Sequence, residues 1–257
     1  MNGGAAAGLV NSSTTLTLDP IVSRLRRLKL SILTAARQHE VAVAGLRTRV
    51  AMVTLTYRTG DQWRAEHMTQ LLARVREYLK RRREVLRYVW VAELQHRGVL
   101  HYHLLLWLPK GLTLPKPDKR GWWPHGSTKI EWARKAVGYL VKYASKVEDK
   151  WGSGFPVGAR LHGKGGLDAR GAAVCRWWSL PAWAREIVDI GGAVRVKGCG
   201  LVERGTGVCL QSPWRVSCGV EGFVAERRFS YIGGMKADGP FSWLPGRSWT
   251  EAFSWVR

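Results

Sequence analysis

His101-Tyr102-His103 opens an apolar run, HYHLLLWL, that reads as a β-strand over 101–108, so its two imidazoles point to one face, two residues apart. That spacing can hold one divalent cation. Tyr88–Gln95 (YVWVAELQ) reads as the preceding strand, with a hairpin between the two. With a three-residue loop, Arg97–Val99, His96 faces Leu100 and Glu93 faces His103, which adds a carboxylate to the histidine face. A two-residue turn would instead pair Glu93 with Tyr102. Gly98 can take the positive φ that the longer loop needs. Two histidines and one carboxylate leave coordination positions open, as catalytic metal sites do. Mixed nitrogen and oxygen ligation admits Mg²⁺ or Mn²⁺ when a phosphate supplies the remaining oxygens, with Zn²⁺ as the rival. The alternative for Glu93 is a carboxylate paired with Arg97, and for the histidines a coincidence of strand composition.

A second group of reactive side chains lies at Tyr139-Leu140-Val141-Lys142-Tyr143-Ala144-Ser145-Lys146. On a helix with Tyr139 at 0°, Tyr143 falls at about 40°, Lys146 at about 340° and Lys142 at about 300°, so all four share one arc. Val137, Leu140, Val141 and Ala144 take the other side. Such a helix buries its aliphatic side and offers two phenols and two ammoniums. A surface helix with solvated lysines has the same pattern. Beside a metal the phenols gain a role: the metal polarises a phosphodiester, a tyrosine attacks it, and the lysines neutralise charge building on the phosphate oxygens.

These side chains need a scaffold. Ala51–Tyr57 (AMVTLTY) alternates as a strand and ends in a turn at Arg58-Thr59-Gly60. Met68–Leu86 follows as a helix with a dense basic band of Arg74, Arg76, Lys80, Arg81, Arg82, Arg83 and Arg87. Then come the two strands of the hairpin, a proline-rich excursion over Pro109–Ser127, and a helix over Ile130–Lys146. Strand, helix, strand, strand, helix implies an α+β fold, an antiparallel sheet with helices packed on one face. Residues 1–18 are uncharged and read as a flexible lead, and Ile21–His39, within 19–49, as a basic amphipathic helix. Its Arg24, Arg26, Arg27 and Lys29 form either a solvated face or a phosphate-contacting one. After Trp151 the chain is rich in glycine and tryptophan and reads as short strands and loops.

The 257 residues carry 41 Lys and Arg against 19 Asp and Glu, a formal charge of +22, whose field suits a polyanion, nucleic acid first. A wholly disordered chain is excluded by its 46% hydrophobic content. The longest apolar runs are far too short to span a bilayer, and no export signal opens the chain, so a cytoplasmic protein without a membrane partner is expected. The four cysteines, Cys175, Cys199, Cys209 and Cys218, contain no CxxC pair and are expected to be reduced, a metal knuckle over the last three being the lesser alternative. Most of the fourteen tryptophans are expected in the core, some as stacking platforms for bases. Arg58, Arg74, Lys80, Arg81, Arg82, Arg83 and Arg97 are the candidate DNA contacts.

The segments MVTLTY at 52–57, AELQHRGVLHYHLLLWLP at 92–109 and GYLVKYASK at 138–146 resemble the HUH endonucleases, and most of all the rolling-circle replication initiators of single-stranded-DNA phages, including filamentous ones. The resemblance covers roughly 50–185, leaving 186–257 as an accessory region. It implies a ferredoxin/RRM-like sheet and a metal held by Glu93, His101 and His103. It also implies catalysis by Tyr139 and Tyr143 with Lys142 and Lys146. The implied activity is site-specific nicking of single-stranded or supercoiled origin DNA through a 5′-phosphotyrosyl intermediate, in the bacterial cytoplasm. No GxxxxGK[ST] motif is present, so a host helicase and a host DNA polymerase are the expected partners. A transposase or relaxase of the same superfamily shares the chemistry, and a noncatalytic single-stranded-DNA-binding protein shares the charge. In 186–257, Arg195, Lys197, Arg204, Arg227 and Arg228 are expected to help hold origin DNA.

Overall fold

The computed structural model describes residues 15–95, 98–135, 137–140, 142, 155–219 and 222–228. The chain divides into two compact units, one of Ile21–Cys209 and one of the two chain ends. In the latter, Thr15–Leu18 (β1), Trp214–Gly219 (β10) and Gly222–Arg227 (β11) form an antiparallel sheet in the order β1-β11-β10. The end of the segment read as a flexible lead is thus a strand, because β11 offers it a full backbone ladder.

The larger unit is built on a five-stranded antiparallel sheet of Thr48–Thr56 (β2), Arg87–Leu94 (β3), Leu100–Pro109 (β4), Thr128–Ala133 (β5) and His162–Gly165 (β6), in the order β5-β2-β4-β3-β6. β4 is central, and residues 100–108 are all buried, so it reads as a continuous apolar run rather than an alternation. The helices Pro20–Ala42 (α1) and His67–Lys80 (α2) pack on opposite faces. Against α2, through Leu71, Val75 and Leu79, lie Val53, Leu55, Trp90, Ala92, Tyr102, Leu104 and Leu106. Against α1, through Leu25, Leu28, Ile32 and Ala35, lie Met52, Val89, Val91, Leu105 and Trp107, joined by Cys175 of Ala169–Trp178 (α3). Helices therefore cover both faces, not one as expected, because both faces of β2, β3 and β4 are apolar and each needs a cover.

Three expected elements change. Residues 128–133 form β5 instead of the first turns of a helix, paired with β2 from Leu55↔Thr128 to Val50↔Ala133. Without β5, β2 would be an open edge, and this pairing overrides the helical pattern. Helix α2 ends at Lys80 rather than Leu86, with Arg83 at φ 60° in a closing turn that leads the chain into β3. In the glycine- and tryptophan-rich region, read as short strands and loops, β6 joins the main sheet and α3 is a helix. Asp168 caps α3, its side chain accepting a bond from the Gly171 N–H at 2.6 Å.

A short sheet follows, of Ala193–Val196 (β7), Gly200–Glu203 (β8) and Cys209–Leu210 (β9). Here Cys199 and Cys209 are joined in a disulfide, against the expectation of four reduced thiols. The turn after β7 and the start of β9 bring their Cα atoms to 6.4 Å, within disulfide reach, in a sheet with little core of its own. Cys175 is a buried thiol and Cys218 an exposed one. Among the described residues no helix is long and apolar enough to cross a membrane.

Candidate active site

The β3–β4 hairpin closes where the Gln95 N–H donates to the Val99 carbonyl at 3.0 Å and the Gly98 N–H to the Gln95 carbonyl at 2.9 Å, with Gly98 at φ 74°. Three residues separate Gln95 from Val99, the expected loop length, but the loop lies one residue earlier than expected. That shift changes the register by two. Glu93 is therefore opposite His101, not His103, and Val91 is opposite His103. Because side chains alternate with a period of two, a two-residue change keeps Glu93 on the histidine face. On the other flank β2 sets Thr54 opposite His103 and Thr56 opposite His101.

Glu93, His101 and His103 are 6%, 8% and 5% exposed, so their charges and lone pairs lie out of bulk water. The Glu93 carboxylate accepts from His103 Nε2 at 2.7 Å, and Thr54 Oγ1 lies 3.5 Å from His103 Nδ1. The His101 and His103 rings are 6.4 Å apart between centroids. Among the described residues no three His, Cys, Asp or Glu side chains gather around one point, since Glu93 is committed to His103 directly. The donor set still fits a divalent cation in kind: two imidazoles and a carboxylate, buried, on one face of two paired strands. Turning Glu93 away from His103 would free both ligands for an ion.

Residues 137–140 and 142 are helical. Val137 and Leu140 join the apolar cluster on the histidine face, Leu140 at 1% exposure. Tyr139 is 38% exposed and Lys142 is also exposed, so over these residues the aliphatic side faces in and the phenol and ammonium face out, as the spacing implies. Tyr143, Lys146 and Arg97 lie outside the described residues.

Arg58 is exposed two residues beyond the end of β2 at which Thr56 pairs with His101. Arg74, Lys80, Arg81, Arg82 and Arg83 are exposed on α2 and the turn after it, and α2 packs on the sheet face opposite the histidines. The fold thus gathers the metal-type ligands and the Tyr139 helix on one face and leaves the α2 basic band on the other. Thr54 is a site residue that the sequence reading passed over. Its signal was the alternation of MVTLT, which sends Thr54 and Thr56 to the same face.

Residues 50–148 match the family model of replication-associated protein ORF2, the gene-two-protein family. The match spans β2 to the Tyr139 helix and so includes every metal-type ligand above. No curated protein and no solved structure matches the chain.

Proposed function

Starting from residues 50–148 as a replication-associated protein domain of the ORF2 family, we propose that the chain is the metal-dependent nickase and strand transferase of a phage's rolling-circle replication. The observation that carries this reading is the buried trio Glu93, His101 and His103 on one sheet face, covered by the helical stretch that bears Tyr139. When bound there, Mg²⁺ or Mn²⁺ polarises a phosphodiester and orients it for attack.

The chain supplies the other parts. Tyr139 or Tyr143 gives up its phenolic proton and attacks the scissile phosphorus, forming an O–P bond as the bond from phosphorus to the 3′-oxygen breaks. The products are a 5′-phosphotyrosyl protein and a 3′-hydroxyl that primes synthesis. Lys142 and Lys146 neutralise the charge that builds on the non-bridging oxygens. Arg58 and Arg97, beside the hairpin end of the sheet, hold phosphates near the attack, while the α2 band offers a remote phosphate contact. A second attack, by the other tyrosine or by the 3′-hydroxyl, releases the protein and closes the circle. Origin DNA is the substrate, and a host helicase and polymerase carry out unwinding and synthesis.

The test is a denaturing gel of the protein with labelled single-stranded origin DNA and Mn²⁺. A covalent band forms with the wild type and is lost when Tyr139→Phe and Tyr143→Phe are combined, with DNA binding retained. A band that persists in the double variant overturns the assignment. No band with the wild type, with binding insensitive to EDTA, returns the noncatalytic reading.

A further inference from the structure

A cleft of about 860 Å³ opens between α1, β6 and α3. Arg24, Arg26 and Arg27 of α1 line it, with Arg160 just before β6, Arg185 from the short helix Ala182–Arg185 (α4) and Arg195 of β7. No Asp or Glu side chain lines it. Six guanidiniums facing one concavity without a carboxylate create a field that an anion must complement, and a guanidinium fork matches phosphate oxygens.

Two further observations narrow the anion. Trp178, at the end of α3, also lines the cleft and is 39% exposed, with the Arg185 guanidinium 4.6 Å from its ring centroid. Its neighbour Trp177 is held differently, its indole N–H donating to the Val188 carbonyl at 2.7 Å. An exposed indole among arginines is the arrangement that grips single strands, phosphates on the cations and a base on the ring. The floor is polar as well: Lys164 Nζ donates to Ser31 Oγ at 3.0 Å, and that hydroxyl lies 3.2 Å from His162 Nε2. A volume of this size takes a few nucleotides and no duplex.

We propose that this cleft holds single-stranded DNA, its phosphates on the six arginines and a base stacked on Trp178. The cleft lies on the histidine side of the sheet, because its lining residues Leu28, Leu161 and Cys175 belong to the apolar cluster of that face. β6 is two strands from β4, roughly 10 Å at the usual strand spacing, so one strand can pass from the histidines to the cleft within a few nucleotides. The cleft's place as a path for the nicked strand rests on the proposed nickase. Its affinity for single strands does not.

The experiment measures anisotropy of a labelled oligothymidylate of about 12 nucleotides with the full chain in EDTA. Arg26→Glu with Arg27→Glu is compared with a control of equal charge change, Lys116→Glu with Lys119→Glu, on exposed positions of the proline-rich excursion. The cleft variant loses at least tenfold in affinity and its salt slope falls by about 1.4, two single-strand phosphate contacts, while the control stays within about threefold. Trp178→Ala loses roughly tenfold with its salt slope unchanged. Equal losses in cleft and control variants, or no loss in either, overturn the proposal, since bulk charge would then account for binding. Loss of binding in the cleft variants, together with a wild type that forms no covalent band, refutes the nickase and leaves the cleft standing.

Discussion

His103 Nε2 and the Glu93 carboxylate are 2.7 Å apart and buried, although the direct ladder partner of Glu93 is His101. The carboxylate thus reaches diagonally along the face, and a hydrogen bond occupies the ligand atoms that a cation would use. An ion that binds here must replace that bond and is held only by the fold. Mn²⁺ at about 100 times its Kd is therefore expected to stabilise the wild type by about 2.7 kcal/mol, a rise of several degrees in Tm. Glu93→Ala and His103→Ala should each lose most of that rise in calorimetry. A rise of equal size in both variants would refute the site.

The Thr54 hydroxyl, 3.5 Å from His103 Nδ1, bears on the same ion. With a metal on Nε2, Nδ1 carries the ring proton and donates it to Thr54 Oγ1, which fixes the ring's tautomer and orientation. Thr54→Val keeps the shape and removes the acceptor. Mn²⁺ affinity by titration calorimetry should fall about tenfold, with Tm in EDTA changed little. Thr54→Ser should restore the affinity. Wild-type affinity in Thr54→Val would leave Thr54 as strand packing alone.

His39 sits at the other end of that sheet face, fully buried, its ring 4.7 Å from Trp107 and its Nε2 donating to the Tyr88 carbonyl at 3.3 Å. Burial holds its pKa well below the imidazole range, at about 4. The unfolded chain takes up this proton near pH 6.5, so between about pH 6.5 and 4 it binds more protons than the folded one. The stability due to a neutral His39 is complete above that window and is lost as the pH falls through it. Tm should be level above pH 7 and fall toward pH 4. His39→Gln, which keeps an N–H for Tyr88 and cannot titrate, should flatten part of that fall. An unchanged pH profile in His39→Gln would assign the acid limb to other groups. His162, held at about 4 first by burial and then by Lys164, is the next candidate.

The histidine face was legible in the sequence because it depends on parity. Sliding the three-residue loop by one position moves the register by two and leaves Glu93, His101 and His103 together, even though the partner of Glu93 changes. What was not legible depended on pairings remote in sequence. Residues 130–133 became a strand because β2 needed a neighbour, and α2 took the face opposite the histidines for reasons of connection rather than composition. The basic band on α2 therefore looked like part of the site in one dimension and is not beside it in three. The arginines of α1 had the converse fate. Their pattern alone fits a solvated face, and only the approach of β6, α3 and α4 makes them the wall of a cleft.

Strand β6 shows how glycine concealed an element. His162-Gly163-Lys164-Gly165 has almost no strand propensity, yet its register sets Gly163 opposite Trp90 and Gly165 opposite Tyr88. A Cβ on Gly163 would run into the Trp90 indole, and one on Gly165 into the Tyr88 ring, so the glycines exist to let two large rings fold over the sheet edge. Gly163→Val, which improves strand propensity, should therefore destabilise the protein by about 1 to 3 kcal/mol, since Trp90 must leave its place in the core. Urea unfolding followed by tryptophan fluorescence would measure it. The paired variant Gly163→Val with Trp90→Leu should recover part of the loss relative to Trp90→Leu alone, because the smaller side chain vacates the space above β6. Simple addition of the two losses would show that the ring and the glycine are not coupled.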